Sequence, residues 1–270
     1  QSSFRFPLWL QQRINYHRSF PRQQWRKRNL FDPASKEPFK LSRSKLELFL
    51  GCPRCFYADR RLGIGRVSGP AFTLNSATDT LLKKEFDQSR AAGKPHPLMT
   101  KYNVDAVPFI HERMDEWREN FKGVQHLHKP TNLLITGAVD DIWINPKKEL
   151  IVVDYKSTST LKEIDLNDGT PWKAGYKRQM EIYQWLLRQC GFTVSGTGYF
   201  VYVNADTTQD AFDAKLVFDQ QLIPYEGNDD WVEEAIQCAH GCLMDDAIPD
   251  STEGCAWCEY FNDLQAITTK

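Results

Sequence analysis

The sequence contains no run of about 18 uncharged apolar residues, so we expect no membrane-spanning helix. The first residues, QSSFRFPLWLQQR, lack the continuous apolar segment of a secretory signal peptide. The phosphate-binding pattern Gly-x-x-x-x-Gly-Lys-Ser/Thr is also missing, which excludes an ATP-driven motor of that type within these 270 residues. Internal repeats and low-complexity tracts do not occur either. We therefore expect a cytoplasmic protein built as one large domain with an appendage.

Acidic residues are scarce at the front of the chain, and basic residues are scarce towards its rear. Residues 1–40 contain nine Lys or Arg and two Asp or Glu, whereas residues 204–253 contain thirteen acidic residues and one Lys. Arginines mixed with aromatics can grip phosphates and stack on bases. We interpret residues 1–40 as a basic aromatic arm whose aromatics pack onto the domain and whose arginines face solvent or phosphate, with base stacking by the aromatics as the alternative. Its aromatics include Phe4, Phe6, Trp9, Tyr16, Phe20 and Trp25.

Cysteines are few, and their number is odd. The chain has seven, and an odd count without a secretion signal argues against a disulfide framework. Four of them form two Cys-x-x-Cys pairs, Cys52 with Cys55 and Cys255 with Cys258, a spacing typical of metal ligands in a reducing compartment. Four thiolates suit either a [4Fe-4S] cluster or a single Zn²⁺ ion. Four buried thiols without a ligand are the remaining alternative.

Apolar periodicity predicts strands in the middle of the chain with helices before and after them. The predicted helices cover residues 44–50, 76–88, 107–121, 176–190 and 229–244, and the predicted strands cover 132–145, 149–156, 193–204 and 214–222. Ser44 and Glu47 have capping-box spacing for the first helix. The expected buried side of the second helix consists of Ala77, Leu81, Leu82 and Phe86. This order of elements predicts an α/β domain over residues 41–270, with a central mixed β-sheet flanked by helices.

The sequence Asp154-Tyr155-Lys156 ends an apolar run over residues 150–153. Alternate residues of a strand share a face, so we expect Asp154 and Lys156 on one side and Tyr155 on the other. A carboxylate and an ammonium group about 7 Å apart along a strand can bind a metal ion and polarise a water beside it. Asp-x-Lys alone is most often a pair of surface charges. Its place at the end of a buried strand makes this pair a candidate site.

Asp140 is expected to stand beside Asp154, because the short turn at residues 145–148 pairs their strands. Two converging carboxylates repel unless a divalent cation lies between them, and Mg²⁺ and Mn²⁺ prefer such oxygen ligands. Such a cation lowers the pKa of a bound water and stabilises charge on a phosphate. Lys156 would orient that water or neutralise the phosphate. Asp141 points to the opposite face and is secondary.

Gln179 and Tyr183 lie four residues apart on a predicted helix, so they share one face. Both can donate hydrogen bonds to a nucleic-acid backbone or reach the neighbourhood of Lys156. A partly buried Gln and a core Tyr are the alternative interpretation of this pair.

The order of these motifs resembles the RecB-type branch of the PD-(D/E)xK nucleases: Gly-x-x-Asp at 137–140, hydrophobic-Asp-Tyr-Lys at 153–156, and Gln-x-x-x-Tyr at 179–183. This branch includes nuclease domains of bacterial recombination helicase-nucleases and CRISPR-associated RecB-like exonucleases. The resemblance covers about residues 41–260 and implies a restriction-endonuclease-like core. It implies metal ligands at Asp140, Asp154 and the Tyr155 carbonyl, a catalytic Lys156, and accessory roles for Gln179 and Tyr183.

The sequence departs from that branch in two places. Members usually carry a His in the helix before the sheet, where this chain has Asp79. An Asp there can also bind Mg²⁺ or Mn²⁺, although Ser76 and Asp79 equally have capping-box spacing. Members with a [4Fe-4S] cluster usually bind it through one upstream and three downstream cysteines, whereas this chain has two and two. The resemblance favours a cluster that joins residues 52–55 and 255–258, with Zn²⁺ as the alternative.

The resemblance implies a Mg²⁺- or Mn²⁺-dependent deoxyribonuclease that hydrolyses phosphodiester bonds. It favours exonuclease action on single-stranded DNA, with a helicase or a CRISPR or recombination protein as partner. The alternative is a catalytically weak or inactive module of the same fold that binds nucleic acid or a protein. A third hypothesis is a zinc-binding domain in which the cysteines carry the whole function.

Overall fold

The computed structural model of the protein describes residues 26–67 and 69–268. Most of the proposed arm, including the six aromatics named above, lies outside the described residues. The strands are β1 (Phe39–Ser42), β2 (Val107–Pro108), β3 (Val124–His128), β4 (Leu133–Gly137), β5 (Asp141–Ile144), β6 (Leu150–Thr158), β7 (Thr197–Ala205) and β8 (Phe218–Glu226). The helices are α1 (Arg43–Gly51), α2 (Pro53–Arg60), α3 (Thr73–Ala92), α4 (Pro97–Lys101), α5 (Met114–Arg118), α6 (Pro171–Gln189), α7 (Val232–Met244) and α8 (Ala256–Thr268).

The described strands form two mixed sheets. The larger has the order β2-β5-β6-β7-β8, in which only β6 and β7 run parallel. The smaller has the order β1-β4-β3, with β1 parallel to β4. The parallel pair β6 and β7 needs a long crossover, and α6 supplies it. The predicted α/β class with mixed strands and flanking helices is confirmed.

The two faces of β6 belong to different cores. Leu150 and Val152 pack in the core under α6 and α7, whereas Ile151, Val153 and Tyr155 pack in the core under α3. Side chains alternate along a strand, so Asp154 follows Val152 onto the α6 side. The larger sheet therefore separates Asp154 from the Tyr155 ring.

The prediction of one strand over 132–145 is wrong. The chain leaves β4 at Gly137 and starts β5 at Asp141, and the two strands belong to different sheets. In the break, the N–H of Val139 donates to the carbonyl of Trp117 at 3.1 Å instead of to a neighbouring strand. Apolar residues lie on both sides of the break, so the apolar periodicity does not reveal it. Asp140 lies within it.

The helix predicted over 107–121 is also mostly wrong. Val107 and Pro108 form the edge strand β2, and helix forms only over α5. The N–H of Phe109 donates to the carbonyl of Ile142 at 2.9 Å, which holds this segment against the sheet. A proline restricts the residue before it to extended backbone, which favours the strand.

The remaining predicted elements form with shifted ends, and two local details differ. Ser42 precedes α1 and no side chain caps that helix, so the capping box of Ser44 with Glu47 is not formed. Leu82 and Phe86 of α3 are buried as expected, but Leu81 is 62% exposed and Ala77 is exposed. The buried stripe instead continues to Arg90, four residues beyond Phe86.

Candidate active site

Asp154 is fully buried on β6, and α6 covers it. Gln179 of α6 donates from Nε2 to Oδ1 of Asp154 at 2.7 Å and also contacts the Tyr183 hydroxyl at 3.1 Å. The ammonium group of Lys156 forms an ion pair with Oδ2 of Asp154 and lies 4.3 Å from the centre of the Tyr176 ring. One turn of α6 thus fixes the positions of both the carboxylate and the amine.

Asp140 faces the open edge of β6. The pairing of β5 with β6 ends at Asp141 opposite Val153, and no described strand continues along this edge of β6. Oδ2 of Asp140 accepts a hydrogen bond from the N–H of Tyr155 at 2.9 Å. The N–H and C=O of one strand residue point to the same edge, so the Tyr155 carbonyl also lies on the Asp140 side.

Helix α3 adds a third acid and a second amine. Nζ of Lys83 lies 2.9 Å from Oδ2 of Asp79 and 3.7 Å from Oδ1 of Asp140. Helix α3 begins at Thr73, so Asp79 lies in its second turn. The alternative capping-box role with Ser76 is therefore wrong, and Asp79 is aimed at the same acidic site.

Burial and neighbouring charges shift the pKa values of this site. Burial raises the pKa of Asp154 to about 7, while Lys156 opposes the shift and Asp140 adds to it. Burial lowers the pKa of Lys156, but the carboxylates of Asp154 and Asp140 outweigh it and the net shift is upward. Burial and then Asp140 raise the pKa of Asp79 against the effect of Lys83. A cation added here would stabilise the ionised acids, and Lys156 stays charged.

The donor set fits a hard divalent cation. Oδ2 of Asp154 is buried and has no hydrogen-bond partner among the described residues, although Lys156 lies against it. The carboxylates of Asp79 and Asp140 and the Tyr155 carbonyl supply further oxygens, which Mg²⁺ and Mn²⁺ prefer. The three carboxylates do not all lie within 4.8 Å of one another in the described structure, and Lys83 contacts both Asp79 and Asp140.

Asp141 belongs to a buried ion-pair network and not to the candidate metal site. It is fully buried and pairs with Arg90 and Arg118, the latter at 2.8 Å, and it accepts from the Tyr155 hydroxyl at 2.9 Å. Its side chain lies on the α3 side of the larger sheet. The two adjacent acids therefore face different surroundings, one near the open edge and one within an ion-pair network.

Gly137 connects two of the sequence motifs. A Cβ atom at this position would lie 2.6 Å from Cε1 of Tyr183 and 3.0 Å from Cδ1 of Leu186. The Tyr183 ring thus packs directly on the glycine that ends β4, three residues before Asp140. The glycine is required because α6 approaches the backbone closely here.

A model of the PD-(D/E)XK nuclease superfamily matches residues 70–262, which is most of the chain and includes all the acids and the lysine of the site. The chain belongs to the PD-(D/E)XK nuclease superfamily. No curated protein sequence matches this nuclease.

Two solved structures are similar to this nuclease. One is the crystal structure of SSO0001, at 16% identity and a TM-score of 0.38, with 89% of this chain and 86% of that chain covered. The other is a phage-related exonuclease from Haemophilus somnus 129PT, at 14% identity and a TM-score of 0.38, with 80% and 82% covered. Because both TM-scores are below 0.5, we base no argument on either structure.

The nuclease brings its four paired cysteines together. Sγ of Cys52 lies 3.7 Å from Sγ of Cys258, and Sγ of Cys55 lies 3.7 Å from Cys255 and 3.6 Å from Cys258. All four sulfur atoms lie within 4.8 Å of one another, and all four residues are buried. Arg66 contacts Sγ of Cys255 at 3.5 Å and places positive charge beside the thiols. This group can hold a metal ion.

Sequence reasoning missed Lys83 and Tyr176. Lys83 lies four residues after Asp79, which is the spacing of a helical ion pair, so that signal was present. Tyr176 lies three residues before Gln179 on α6, again on the same face. The sequence indicates both positions only when the residues one helical turn from Asp79 and from Gln179 are also considered.

None of the described helices combines the length and the apolar character that a membrane span requires.

Proposed function

We propose that the protein is a Mg²⁺- or Mn²⁺-dependent nuclease that hydrolyses phosphodiester bonds in DNA. The observation that carries the proposal is the fully buried Asp154 carboxylate, which is paired with Lys156 at the sheet edge that Asp140 faces. Membership of the nuclease superfamily supports it. The cation would be held by Asp79, Asp140, Asp154 and the Tyr155 carbonyl. When bound, it supplies an acidic water and neutralises charge on the phosphate.

The other groups of the site hold the Asp154 carboxylate in position and stabilise the charge of the phosphate. Lys156 keeps its proton, since its pKa is raised, so it acts as a fixed positive charge beside the phosphate and not as a base. Gln179 holds the Asp154 carboxylate through Oδ1, which leaves Oδ2 directed to the site. Tyr183 holds Gln179 in turn at 3.1 Å.

Cleavage of labelled oligonucleotides tests this proposal. The purified protein is incubated with single-stranded DNA, duplex DNA or RNA, with Mn²⁺ or with chelator. We expect metal-dependent cleavage of DNA that Asp154→Asn abolishes and Asp213→Asn, an exposed control, retains. Equal cleavage by the Asp154 variant and the wild type would refute the assignment of this site.

The finer substrate class rests on the resemblance of the motifs to RecB-type nucleases. We propose single-stranded DNA as the substrate, exonuclease action, and a helicase or a CRISPR or recombination protein as partner, with the basic arm of residues 1–40 on the DNA. A cytoplasmic location also stays a prediction. Labelling the two DNA ends separately distinguishes exonuclease from endonuclease products.

The alternative, a module that binds nucleic acid without cutting it, is favoured by one observation. Lys83 pairs with both Asp79 and Asp140, where a cation would need those oxygens. If metal does not displace Lys83, DNA binding without cleavage is expected. If the Lys83→Ala variant cleaves DNA, Lys83 is the group that prevents metal binding in the wild type.

We propose that the four cysteines hold one tetrahedral metal ion. At a Zn–S length of about 2.3 Å, the sulfur atoms of a regular tetrahedron lie about 3.8 Å apart. Three of the thiol pairs are 3.6–3.7 Å apart, and all four sulfur atoms lie within 4.8 Å of one another. In a [4Fe-4S] cluster each cysteine binds a different iron, which spreads the sulfur atoms further. The spacing supports Zn²⁺ over the cluster favoured by resemblance. Metal and sulfide analysis of anaerobically purified protein decides: zinc without sulfide is expected, and iron with equimolar sulfide would overturn this.

A further inference from the structure

A cavity of about 260 Å³ lies beside Lys156. The end of β6, the loop over residues 159–170, the first turns of α6 and Tyr202 of β7 form its walls. Lys156 belongs to both the cavity and the catalytic site. Anything that occupies the cavity therefore lies next to the phosphate that Lys156 would contact.

Tyr202 supplies an unpartnered polar group in the wall. It pairs with Lys156 in the parallel register of β6 and β7, so both side chains lie on the α6 side of the sheet. Tyr202 is 4% exposed, and its hydroxyl is buried with no hydrogen-bond partner among the described residues. Burial raises its pKa, so the hydroxyl stays protonated and can donate. A buried hydroxyl without a partner is costly unless a ligand satisfies it.

Two further aromatic rings line the cavity. Trp172, at the start of α6, is 65% exposed although it is one of the largest apolar side chains. Tyr176, one turn later, carries the Lys156 ammonium group over its ring at 4.3 Å. Flat aromatic surfaces next to an amine suit a planar, electron-rich ring attached to a phosphate, because nucleobases stack on such side chains.

We propose that this cavity binds the nucleobase adjacent to the scissile phosphate, stacked on Trp172 and accepting a hydrogen bond from Tyr202. This inference rests on the proposed nuclease function and deepens it by naming the residues that contact a base of the substrate. A base that is paired in a duplex cannot enter the cavity, so the site selects unpaired nucleotides. Lys156 and Lys162 line the cavity and suit the flanking phosphates, while the acids Glu163 and Asp168 line it too and Asp168 pairs with Lys173.

Binding of oligonucleotides that each carry one abasic nucleotide tests the proposal. Fluorescence anisotropy is measured with Ca²⁺ in place of Mg²⁺, and the abasic position is moved along a short labelled single strand. For the wild type, one position should weaken binding about five- to a hundred-fold, the value of one stacked base. Trp172→Ala should weaken binding of the intact strand by a similar factor and lose the sensitivity to that position.

Two further variants separate the base contact from general structure. Phe121→Ala removes an aromatic that is 86% exposed and does not line the cavity, and it should behave as the wild type. Tyr202→Phe keeps the ring and should change the relative affinities for the four homopolymers, which a purely structural change would not do. Circular dichroism and Tm confirm that each variant is folded.

The outcomes distinguish this proposal from the proposed function. Wild-type cleavage combined with unchanged binding by Trp172→Ala overturns the base cavity alone. Position-specific binding without cleavage overturns the nuclease assignment and keeps the cavity. A wild-type protein that cleaves duplex DNA but binds no single strand overturns the base cavity and keeps the nuclease assignment.

Discussion

At the scale of single residues, the site depends on how Asp154 is held between charges of opposite sign. Gln179 fixes one of its oxygens, and the other forms an ion pair with Lys156. Burial raises its pKa to about 7 even though Lys156 opposes the shift, and Asp140 adds to it. A divalent cation bound here would stabilise the ionised carboxylate. This balance makes the site sensitive to any change in its charges.

Removing the Lys156 charge should affect the chemical step more than binding. In Lys156→Gln the fixed positive charge beside the phosphate is lost, and we expect kcat to fall by about 100-fold with little change in KM. Steady-state cleavage of labelled single-stranded DNA measures both constants. Lys84→Gln, on the exposed side of α3, is the matched control. A large rise in KM with unchanged kcat would assign Lys156 to substrate binding alone.

Gly137 should tolerate no side chain. In Gly137→Ala the new Cβ would meet the Tyr183 ring at 2.6 Å, and we expect a loss of about 1–3 kcal/mol of unfolding free energy together with lower activity. Urea denaturation and cleavage assays measure the two effects. Gly241→Ala, an exposed position in α7 with nothing within 4 Å, should be neutral or stabilising. Equal stability of both variants would contradict the proposed packing of Tyr183.

At the scale of elements, α2 is tied to its neighbours through one buried acid. Asp59 is 4% exposed and pairs with Lys45 of α1 at 2.7 Å, with Arg60 at 2.8 Å and with Arg26 at 3.4 Å. Burial raises its pKa, but the hydrogen bonds and charges of Arg60 and Lys45 outweigh burial, and the net pKa lies below 3.8. The ionised carboxylate therefore stabilises the folded state.

Asp59→Asn should reveal this contribution through its pH dependence. A group whose pKa is lowered on folding stabilises the protein above its unfolded value, and that stability is lost as pH falls through the folded pKa. We expect the variant to lose about 3 kcal/mol at pH 7, because it breaks a buried ion pair. The gap to wild type should close below pH 3.8. Denaturation across pH measures it, with exposed Asp263→Asn as control. A gap that stays constant down to pH 2 would exclude the ionic origin.

The elements also show what the sequence could and could not predict. The α/β class, α6 and the alternation of Asp154 with Tyr155 follow from local periodicity, because one pattern of burial governs each element. The break at residues 138–140 could not be predicted from periodicity. The apolar residues before and after it belong to different sheets, but they show the same pattern of alternation as one continuous strand. The edge strand β2 was missed because its two residues are too few to show a period. Asp79 was a sequence candidate, but only the start of α3 at Thr73 excluded its capping role.

At the scale of the whole molecule, the cysteine group joins distant parts of the chain. Cys55 and Cys255 are 200 residues apart in sequence, yet their sulfur atoms lie 3.7 Å apart. The spacing of the two pairs predicted a metal site, but only their positions in space favour a single ion. A link across such a loop restricts the unfolded chain, so metal binding contributes to folding.

Loss of this metal site should lower stability before it changes the active site. Cys258→Ser removes one ligand, and we expect Tm to fall by several degrees and metal content to drop, since binding energy is folding energy. The residues of the active site lie in β6, α3, α6 and the segment between β4 and β5, outside the cysteine group, so cleavage at low temperature should persist. Differential scanning calorimetry and metal analysis measure this. Cys190→Ser, which alters an exposed thiol, is the control. An unchanged Tm would exclude a structural metal here.

The most direct test of the account is where a divalent cation binds. A crystal of the protein soaked in Mn²⁺ would show the ion by its anomalous scattering. We predict one peak between Asp140 and Asp154, within bonding distance of the Tyr155 carbonyl, with Lys83 displaced from Asp140. A fully soaked crystal without density at this position, or with the ion bound elsewhere in the described domain, would contradict the assignment of the active site.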